Sequence, residues 1–340
     1  MRRLGDNESD AEQKLLQLLS GKWVTAAIAA AAELGLADAL TAAPLSAAQL
    51  AERLQCDESA LSRLLRVLCG EGLLEAGVDG RYTLTSVGAQ LGSGQLRDLA
   101  RFVGAPFMWT PWAELAHALR DPRRSGFERA HGLPLFPHLD RHAHDAELYH
   151  HAVDAFTRRQ ARALCEAFDF SGLTRVVDVG GGLGTVLTEL TPRFARLTGV
   201  LYDRPAVIAQ ARALWAEQPT AARIETESGD FFERVPAPAD AYIIKHVLHN
   251  WDDEHAARIL RVCRDALRPG GHVLIVESVL LPGNVRDATA LLDLEMLVLC
   301  GAGHERSKPQ FRRLLSAADL QLTATRPLAG GARLLIAAPR

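Results

Sequence analysis

The chain has 340 residues, which predicts two domains, one of them large. Its apolar content of 48% supports a sizeable core, and its formal net charge of −3 argues against nucleic acid or an anionic membrane as the main partner. The five cysteines are irregularly spaced and form no C-x-x-C pair, so we expect free thiols in a reducing cytoplasm.

No stretch of the sequence is expected to cross a membrane. The longest apolar stretch, Val24 to Leu40, is mostly alanine and carries Glu33 and Asp38. It is therefore too short and too weakly apolar for a bilayer. The first residues also lack the hydrophobic core of a signal peptide, and we expect a cytoplasmic protein.

Residues 1–100 are predicted to form a mostly helical first domain. Leucine pairs and an alanine-rich segment within residues 11–40 predict helices with faces that allow close helix packing. Two interpretations remain open from this pattern alone. The faces pack against a second subunit, which we favour, or they form an internal helical hairpin.

Residues 45–90 predict a winged-helix arrangement within that domain. Ser46 and Asp57 are placed to cap two successive helices, and a Val-Asp-Gly turn joins two short strands after them. A winged helix raises the alternative of a DNA-binding regulator. Residues 41–90, however, carry four basic and six acidic side chains, whereas a DNA-reading module needs a basic surface. We therefore interpret the module as a dimerisation scaffold.

Residues 101–165 are predicted to be a helical linker, rich in aromatic residues and histidines. Tyr149, Val153 and Phe156 are spaced to share one helix face, which is either ordinary core or the wall of a binding pocket. The seven histidines of this region show no metal-ligand spacing, and we expect them on a solvated, mixed surface.

Residues 166–340 alternate strands and helices, which predicts a doubly wound parallel sheet. The last two strands are joined by a hairpin-length Gly-Gly turn and predict an antiparallel pair at one edge. Ligands of such sheets bind beyond the carboxyl ends of the strands.

A glycine-rich turn follows the first strand of this sheet. The apolar run that ends at Val179 is followed by the turn Gly180-Gly181-Gly182-Leu183-Gly184 and by a predicted helix from Thr185. The free N–H groups at the start of this helix point back at the turn. The dinucleotide pattern G-x-G-x-x-G fails here, because it would need glycine at Thr185 or Leu187. With Asp178 in front, the turn is similar to the nucleotide-binding loop of class I S-adenosylmethionine (SAM) methyltransferases.

Further polar residues lie at the ends of the next strands. Asp203 closes the second strand and suits the hydroxyls of a ribose, with a helix N-cap as its alternative role. After the third strand, Asp230 suits an adenine amino group and Phe231 suits the face of the ring.

The fourth strand ends near His249, which suits a general base. The neighbouring His246, Asp252 and His255 also allow a metal site, but Asp252-Asp253-Glu254 reads as the acidic first turn of a helix, and we expect no metal. Glu277 ends an apolar strand, where a carboxylate needs a partner such as a histidine from the neighbouring strand. Glu305 lies in a loop before the last long helix.

Taken together, these motifs resemble the plant-type O-methyltransferase family, including its bacterial natural-product branch, over nearly the whole chain. The resemblance rests on Gly21-Lys22-Trp23-Val24 and Ala32 to Ala37 near the start, on the glycine loop and Tyr202 to Pro205, on Gly229-Asp230-Phe231, and on Lys245-x-x-x-His249-x-Trp251 with Glu277 and Glu305. It implies a class I, Rossmann-like catalytic domain over 166–340, a homodimer, and a small aromatic acceptor.

The resemblance also implies a mechanism. His249 takes the proton of the acceptor hydroxyl, Glu277 and Glu305 orient the imidazole, and the methyl group of SAM is transferred to oxygen with S-adenosylhomocysteine (SAH) as product. The residues implied to bind the cofactor are Asp178, Gly180, Gly182, Asp203, Asp230, Phe231 and Lys245. The residues implied to bind the acceptor are Trp109, Tyr149, Val153, Phe156, Asn250 and Met296.

Two departures from the family pattern limit these implications. Many relatives have aspartate where this chain has Asn250, and they often have Phe, Met and His where it has Tyr149, Val153 and Phe156. The acceptor therefore does not follow from the resemblance. Because the family's scaffold also hosts members that use SAM for other chemistry, a reaction other than methyl transfer is the alternative.

Overall fold

The structure is a computed structural model that describes residues 4–216, 222–283 and 287–340. It divides into two compact units. The first runs up to Trp109 and includes Glu147–Ala155, and the second contains Thr110–Ala146 and Phe156–Arg340. The prediction of domains at 1–100, 101–165 and 166–340 stays a prediction.

Among its described residues, the first unit contains seven complete α-helices, a 3₁₀ helix (Gly88–Leu91) and three short strands. The helices are α1 (Leu4–Leu19), α2 (Gly21–Glu33), α3 (Leu36–Leu40), α4 (Ala47–Leu54), α5 (Glu58–Gly70), α6 (Arg97–Gly104) and α7 (Pro106–Trp109). The strands are β1 (Leu45–Ser46), β2 (Leu74–Ala76) and β3 (Arg81–Leu84), in the sheet order β1-β3-β2.

The winged-helix prediction is confirmed at the level of its caps. Ser46 Oγ accepts from the backbone N–H of Gln49, whose side chain accepts in return from the N–H of Ser46. Asp57 Oδ1 accepts from the N–H of Ala60 at 2.7 Å. These bonds satisfy the free donors at the starts of α4 and α5. Strand β1, whose two residues pair with β3, was not expected from the sequence.

The N-terminal helices carry an exposed apolar face. Leu15, Leu16, Leu18 and Leu19 are each more than half exposed, and Trp23 is 72% exposed. One helical stretch, Asp10–Glu33, is long and apolar enough to cross a membrane by length and composition alone. No such stretch was expected from the sequence, because the alanine-rich segment that begins at Val24 does not include the leucines that precede it.

The helices after α7 are α8 (Leu115–Arg120), α9 (Gly126–His131), α10 (Leu135–Leu139) and the long α11 (Ala143–Ala167). The expectation that the histidines of this region are solvated is wrong at two positions. His138 is 6% exposed and His150 is 8% exposed. The ring of His138 has a local partner, because its Nε2 lies 2.8 Å from Asp145.

The second unit is built on a mixed sheet in the order β10-β11-β8-β7-β4-β5-β6. Its strands are β4 (Arg175–Val179), β5 (Thr198–Asp203), β6 (Ile224–Ser228), β7 (Ala239–Lys245), β8 (Leu267–Leu280), β9 (Arg306–Ser307), β10 (Leu320–Pro327) and β11 (Ala332–Pro339). Strands β8, β7, β4, β5 and β6 run parallel, and β10 with β11 forms the predicted antiparallel edge. The short β9 pairs in parallel with the end of β8.

Helices cover the sheet and bury its apolar strands. They are α12 (Thr185–Leu190), α13 (Pro205–Trp215), α14 (Asp253–Asp265), α15 (Ala288–Cys300) and α16 (Lys308–Ala317). Helix α15 was not expected from the sequence. Its sequence is apolar on nearly every side, so the alternation that marks an amphipathic helix is absent.

The order of the strands determines where the site forms. Strand β4 pairs with β7 on one side and β5 on the other, so three strand ends lie next to one another at the carboxyl edge. The residues that follow these ends are the glycine turn, Asp203 and the turn that carries His249.

Candidate active site

The glycine turn after β4 needs glycine for two physical reasons. Gly180, Gly182 and Gly184 have φ of +67°, +59° and +77°, a region that other residues rarely adopt. The turn also packs closely against the protein itself. A Cβ at Gly180 would lie 2.8 Å from Val247, and one at Gly184 would lie 2.1 Å from Trp215. Neither Val247 nor Trp215 was singled out from the sequence.

Asp178 lies beneath this turn and is fully buried. Neither oxygen of its carboxyl group has a hydrogen-bond partner among the described residues. Burial raises the pKa of this carboxyl to about 7, although the nearby charge of Lys245 acts to lower it. A buried polar group without a partner is costly, so Asp178 is suited to a ligand that supplies a donor or a positive charge.

Asp203 lies at the end of β5 and contacts the glycine turn directly. Its Oδ2 accepts from the backbone N–H of Gly182 at 2.9 Å, and its Oδ1 accepts from the N–H of Arg204 at 2.7 Å. Burial raises the pKa of Asp203, while these two N–H groups act to lower it. The guanidinium of Arg204 ion-pairs with Asp140 and donates to the carbonyl of Phe136 at 3.2 Å.

Asp230 and Phe231 follow β6. Asp230 is exposed, and its Oδ1 accepts from the N–H of Phe232 at 2.8 Å. The ring of Phe231 lies 3.8 Å from the Cβ position of Gly180, so the predicted ring-covering side chain lies beside the glycine turn. These residues fit an adenosine cofactor with a cationic group, because carboxyl groups and an aromatic ring lie around the turn.

His249 lies in a 3₁₀ turn, Leu248–Asn250, that follows β7. Its Nδ1 lies 2.7 Å from Glu305 Oε1, and its side chain is 10% exposed. A carboxylate only accepts hydrogen bonds, so the ring carries its proton on Nδ1 and presents a free lone pair on Nε2. The structure therefore brings His249 and Glu305 together, as predicted.

Glu277 contacts both the backbone of the turn that carries His249 and the rings of two histidines. Its Oε1 accepts from the backbone N–H groups of Val247 and Leu248, at 3.1 and 3.0 Å, and lies 3.4 Å from that of His249. Its Oε2 lies 3.4 Å from Nδ1 of His246 and 3.5 Å from Nδ1 of His249. Glu277 thus holds the backbone of the turn at residues 247–251, called the base turn below, and also faces the two imidazoles. Its predicted role in orienting His249 stays a prediction.

The charges of this buried cluster shift one another's pKa values. Burial acts to lower the pKa of His249, but the carboxylates of Glu277 and Glu305 outweigh it and raise that pKa. Burial raises the pKa of Glu305. Burial acts to raise the pKa of Glu277, but His249 and His246 bring it below its ordinary value. A His249 with a raised pKa is a stronger base than a free imidazole.

His246 is a residue whose structural role was not foreseen. It has a left-handed φ of +50°, its Nε2 lies 3.2 Å from Gln160, and burial lowers its pKa to about 4. Ring nitrogens of His246 and His249 and an oxygen of Glu277 lie within 4.8 Å of one another, close enough to hold a metal ion. Hydrogen bonding to Glu305 already engages Nδ1 of His249. The expectation that the site uses no metal stays a prediction.

The residues predicted to bind the acceptor belong to both units. Trp109, Tyr149 and Val153 are partly buried in the first unit. In the second unit, Phe156 is 44% exposed and Met296 is 5% exposed. Asn250 donates to the carbonyl of His246 at 3.3 Å and accepts from the thiol of Cys300 at 3.4 Å. The acceptor-binding role of all six stays a prediction.

Two family patterns match most of the chain. The O-methyltransferase domain family matches residues 112–321, and the O-methyltransferase dimerisation domain family matches residues 16–93. The second match includes most of the apolar stretch Asp10–Glu33.

Known proteins similar to this chain act in natural-product pathways. A 3-amino-4-hydroxybenzoate 4-O-methyltransferase of Streptomyces cremeus is 38% identical and aligns over 94% of this chain and 87% of its own length. A mitomycin biosynthesis 6-O-methyltransferase of Streptomyces lavendulae is 35% identical, over 94% of this chain and 92% of its own. An aclacinomycin 10-hydroxylase, RdmB, of Streptomyces purpurascens is 33% identical, over 92% of this chain and 85% of its own length.

Solved structures lead to the same family. The structure of LaPhzM has a TM-score of 0.90 with 33% identity and covers 97% of this chain and 99% of its own. The O-methyltransferase NcsB1, solved with SAM and 2-hydroxy-5-methyl naphthoic acid, has a TM-score of 0.78 with 28% identity, over 93% of this chain and 96% of its own. Together with the glycine turn and its acids, these matches show that the chain belongs to the O-methyltransferase family and is a SAM-dependent O-methyltransferase of class I fold.

Proposed function

We propose that this enzyme methylates a phenolic hydroxyl group on a small aromatic natural product, with His249 as the general base. The observation that carries the proposal is the 2.7 Å contact between His249 Nδ1 and Glu305, which commits Nε2 to proton acceptance. The relatives that act on aminohydroxybenzoate and mitomycin support the aromatic acceptor.

The residues around the glycine turn are proposed to hold the cofactor. Asp203 and the N–H groups of the turn suit the ribose, Asp230 and Phe231 suit the adenine, and the unpartnered carboxyl of Asp178 suits the amino group of the methionine part. Lys245 is 9% exposed and lies near Asp178. When bound, SAM supplies an electrophilic methyl group on a sulfonium sulfur.

His249 is proposed to take the acceptor's proton on Nε2 as the oxygen attacks. A phenol of pKa about 10 and an imidazole of pKa about 6.5 differ by roughly 3.5 units, or about 5 kcal/mol. The raised pKa of His249 narrows that gap. Glu305 keeps the ring in the right tautomer, and Glu277 holds the turn, so the base meets the acceptor in one fixed geometry.

The acceptor is proposed to be selected by Trp109, Tyr149, Val153, Phe156, Asn250 and Met296. Their side chains are mainly aromatic or apolar, which suits a flat ring system, and Asn250 adds one polar group. Asn250 is uncharged and bonds to backbone and thiol, so it supplies no charge to strengthen the base.

We also propose a cytoplasmic homodimer. The exposed leucines of α1 and Trp23 form an apolar face, and all of them except Leu15 lie within the region that matches the dimerisation family. Such a face suits a second copy of the chain. The replacement Leu15→Glu together with Leu19→Glu is expected to yield monomers in sedimentation, whereas a membrane-bound helix would make the wild type require detergent.

The test of the activity is transfer of labelled methyl groups to a panel of phenolic polyketides, aminophenols and phenazines. We expect a product heavier by one methyl group, formed in equal amount with SAH. Failure to bind SAH at millimolar concentration in calorimetry would overturn the cofactor assignment.

The second candidate is a different reaction on the same scaffold. It is favoured by the similarity to a protein named as a 10-hydroxylase. The cluster of His249, Glu277 and Glu305 supports methyl transfer instead, because it supplies a base for a hydroxyl proton. Mass spectrometry separates the two, since only methyl transfer consumes SAM in proportion to product.

A further inference from the structure

Arg306 is the largest fully buried side chain among the described residues. It directly follows Glu305 in the sequence and begins β9, which pairs with the end of β8. No role was predicted for it. A buried guanidinium is costly unless its donors are satisfied, so its partners indicate what it does.

The partners of Arg306 are the carbonyl groups of the base turn. Its Nη1 donates to the carbonyl of Leu248 at 2.9 Å, and its Nη2 donates to the carbonyl of Trp251 at 2.8 Å. Its Nε donates to Asp253 at 2.8 Å, and Nη1 also lies 3.4 Å from the carbonyl of His304. The planar fork thus spans the residues on both sides of His249.

The same turn is held at its N–H groups by Glu277. Leu248 therefore has its N–H bonded to a buried carboxylate and its carbonyl bonded to a buried guanidinium. The loop that carries Glu305 also fits closely, since a Cβ at Gly303 would lie 2.6 Å from the carbonyl oxygen of His249. The base turn has little freedom to move without breaking bonds to charged groups.

We infer that Arg306 is a positioning residue for the base: together with Glu277 it clamps the turn 247–251 by its carbonyl and N–H groups and so holds His249 against Glu305. The clamp rests on the proposed function, because it acts only through His249. Lysine cannot replace the fork, since a single ammonium does not reach two carbonyls in the same planar geometry.

The chain offers a matched control in Arg264. Its Nη1 donates to the carbonyl of Ala318 at 2.7 Å, and its Nε donates to Asp265 at 2.9 Å. Asp265 is 66% exposed and the corresponding Asp253 is 65% exposed. The side chain of Arg264 is 21% exposed and also pairs with Asp319, whereas Arg306 is fully buried. Arg264 therefore matches Arg306 in its bonds to an aspartate and a carbonyl group, but not in its burial.

The experiment compares Arg306→Lys with Arg264→Lys. We expect Arg306→Lys to lower kcat by about 10- to 100-fold, because small misplacements of a reacting group have effects of this size. Its Kd for SAH and its KM for SAM should stay within about 3-fold of the wild type, since the glycine turn is untouched. Arg264→Lys should keep kcat within about 2-fold.

The pH profile separates positioning from simple loss of stability. In Arg306→Lys, Glu305 is held less firmly and stabilises the imidazolium form of His249 less, so the pKa of His249 should fall. The acidic limb of the pH profile of kcat should therefore move to lower pH. In Arg264→Lys the limb should stay in place, even if the melting temperature falls. A folded, SAH-binding Arg306→Lys with wild-type kcat and an unmoved limb would overturn the inference.

A second pair of variants covers the case in which Arg306→Lys does not fold. Asp253→Asn weakens one arm of the clamp at an exposed position, and Asp265→Asn is its control. We expect kcat of Asp253→Asn to be about 2- to 5-fold below that of Asp265→Asn. Equal values would overturn the clamp. Full activity of His249→Ala would contradict the proposed base. If His249→Ala is inactive while Arg306→Lys and Asp253→Asn behave like their controls, only the clamp is contradicted.

Discussion

Two neighbouring turns at the carboxyl edge of the sheet are built in opposite ways. The glycine turn after β4 depends on absent side chains, because positive φ angles and close approaches of Val247 and Trp215 leave no room for a Cβ. The turn after β7 depends on buried charges, because Glu277 and Arg306 hold its backbone and Glu305 holds its histidine. Replacing a glycine by a larger residue should therefore impair the turn after β4. Replacing a buried charged residue by a neutral one should impair the turn after β7.

The largest effect is expected for His249→Ala. Removal of a general base lowers turnover by about 10²- to 10⁴-fold, and the remaining rate comes from positioning alone. Single-turnover assays measure the chemical step, and calorimetry with SAH should show an unchanged Kd. A variant with wild-type turnover would mean that the base turn does not perform the chemistry.

Next in size is Gly184→Ala in the glycine turn. A φ of +77° costs an alanine about 1–2 kcal/mol, and Trp215 must also move to admit the new methyl group. We expect the Kd for SAH to rise about 10-fold or more, because 1.4 kcal/mol corresponds to a factor of ten.

Gly172→Ala is the control for that substitution, because a Cβ at Gly172 meets nothing within 4 Å and its φ is not positive. It should bind SAH as the wild type does. If Gly184→Ala and Gly172→Ala have equal Kd values, the strain attributed to the glycine turn is absent.

Glu305→Gln should have a smaller effect with a clear sign. The amide oxygen still accepts from Nδ1 of His249, so we expect kcat to fall only several-fold. The negative charge is lost, however, and the raised pKa of His249 moves back toward its ordinary value. Because the neutral imidazole is the active form, the acidic limb of kcat should shift to lower pH. A limb that shifts to higher pH would contradict this assignment of charges.

The last effect is one on stability and not on turnover, and it concerns the melting temperature of Asp178→Asn without cofactor. The pKa of Asp178 is raised from 3.8 to about 7, so between those values the folded chain holds a proton that the unfolded chain releases. Stability therefore falls as pH rises through this window, by at most about 4 kcal/mol for this group. Replacing Asp178 by asparagine should therefore change the melting temperature more favourably at pH 8 than at pH 5. We also expect Asp178→Asn to bind SAH less tightly than the wild type does.

Asp240→Asn provides the contrast for that experiment. Burial acts to raise the pKa of Asp240, but bonds from Thr174, Arg175 and Arg268 lower it to about 2. Asp240 is ionised at both pH 5 and pH 8, so its replacement should destabilise the chain equally at both. A pH-independent effect of Asp178→Asn would show that this carboxyl is ionised throughout.

Local sequence patterns determined much of the fold and one of the two turns. The caps at Ser46 and Asp57, the glycine run after a β-branched strand, and the acid at the end of β5 each act within a few residues, so their chemistry is visible in the linear order. The family match confirmed the fold class and the cofactor that these patterns indicated.

Only the tertiary structure decided how the base is held. Glu277 was expected to meet a histidine ring, and it also accepts from the backbone N–H groups of the base turn, which the sequence did not indicate. Arg306 had no predicted role, and in the sequence it is one more charged residue of a loop. Such roles depend on strands β7, β8 and β9 lying side by side, and on burial, which turns a surface-type residue into a structural ion. The sequence by itself determined which reaction the chain is equipped for, and the packing of distant strands decided which charges keep its base in place.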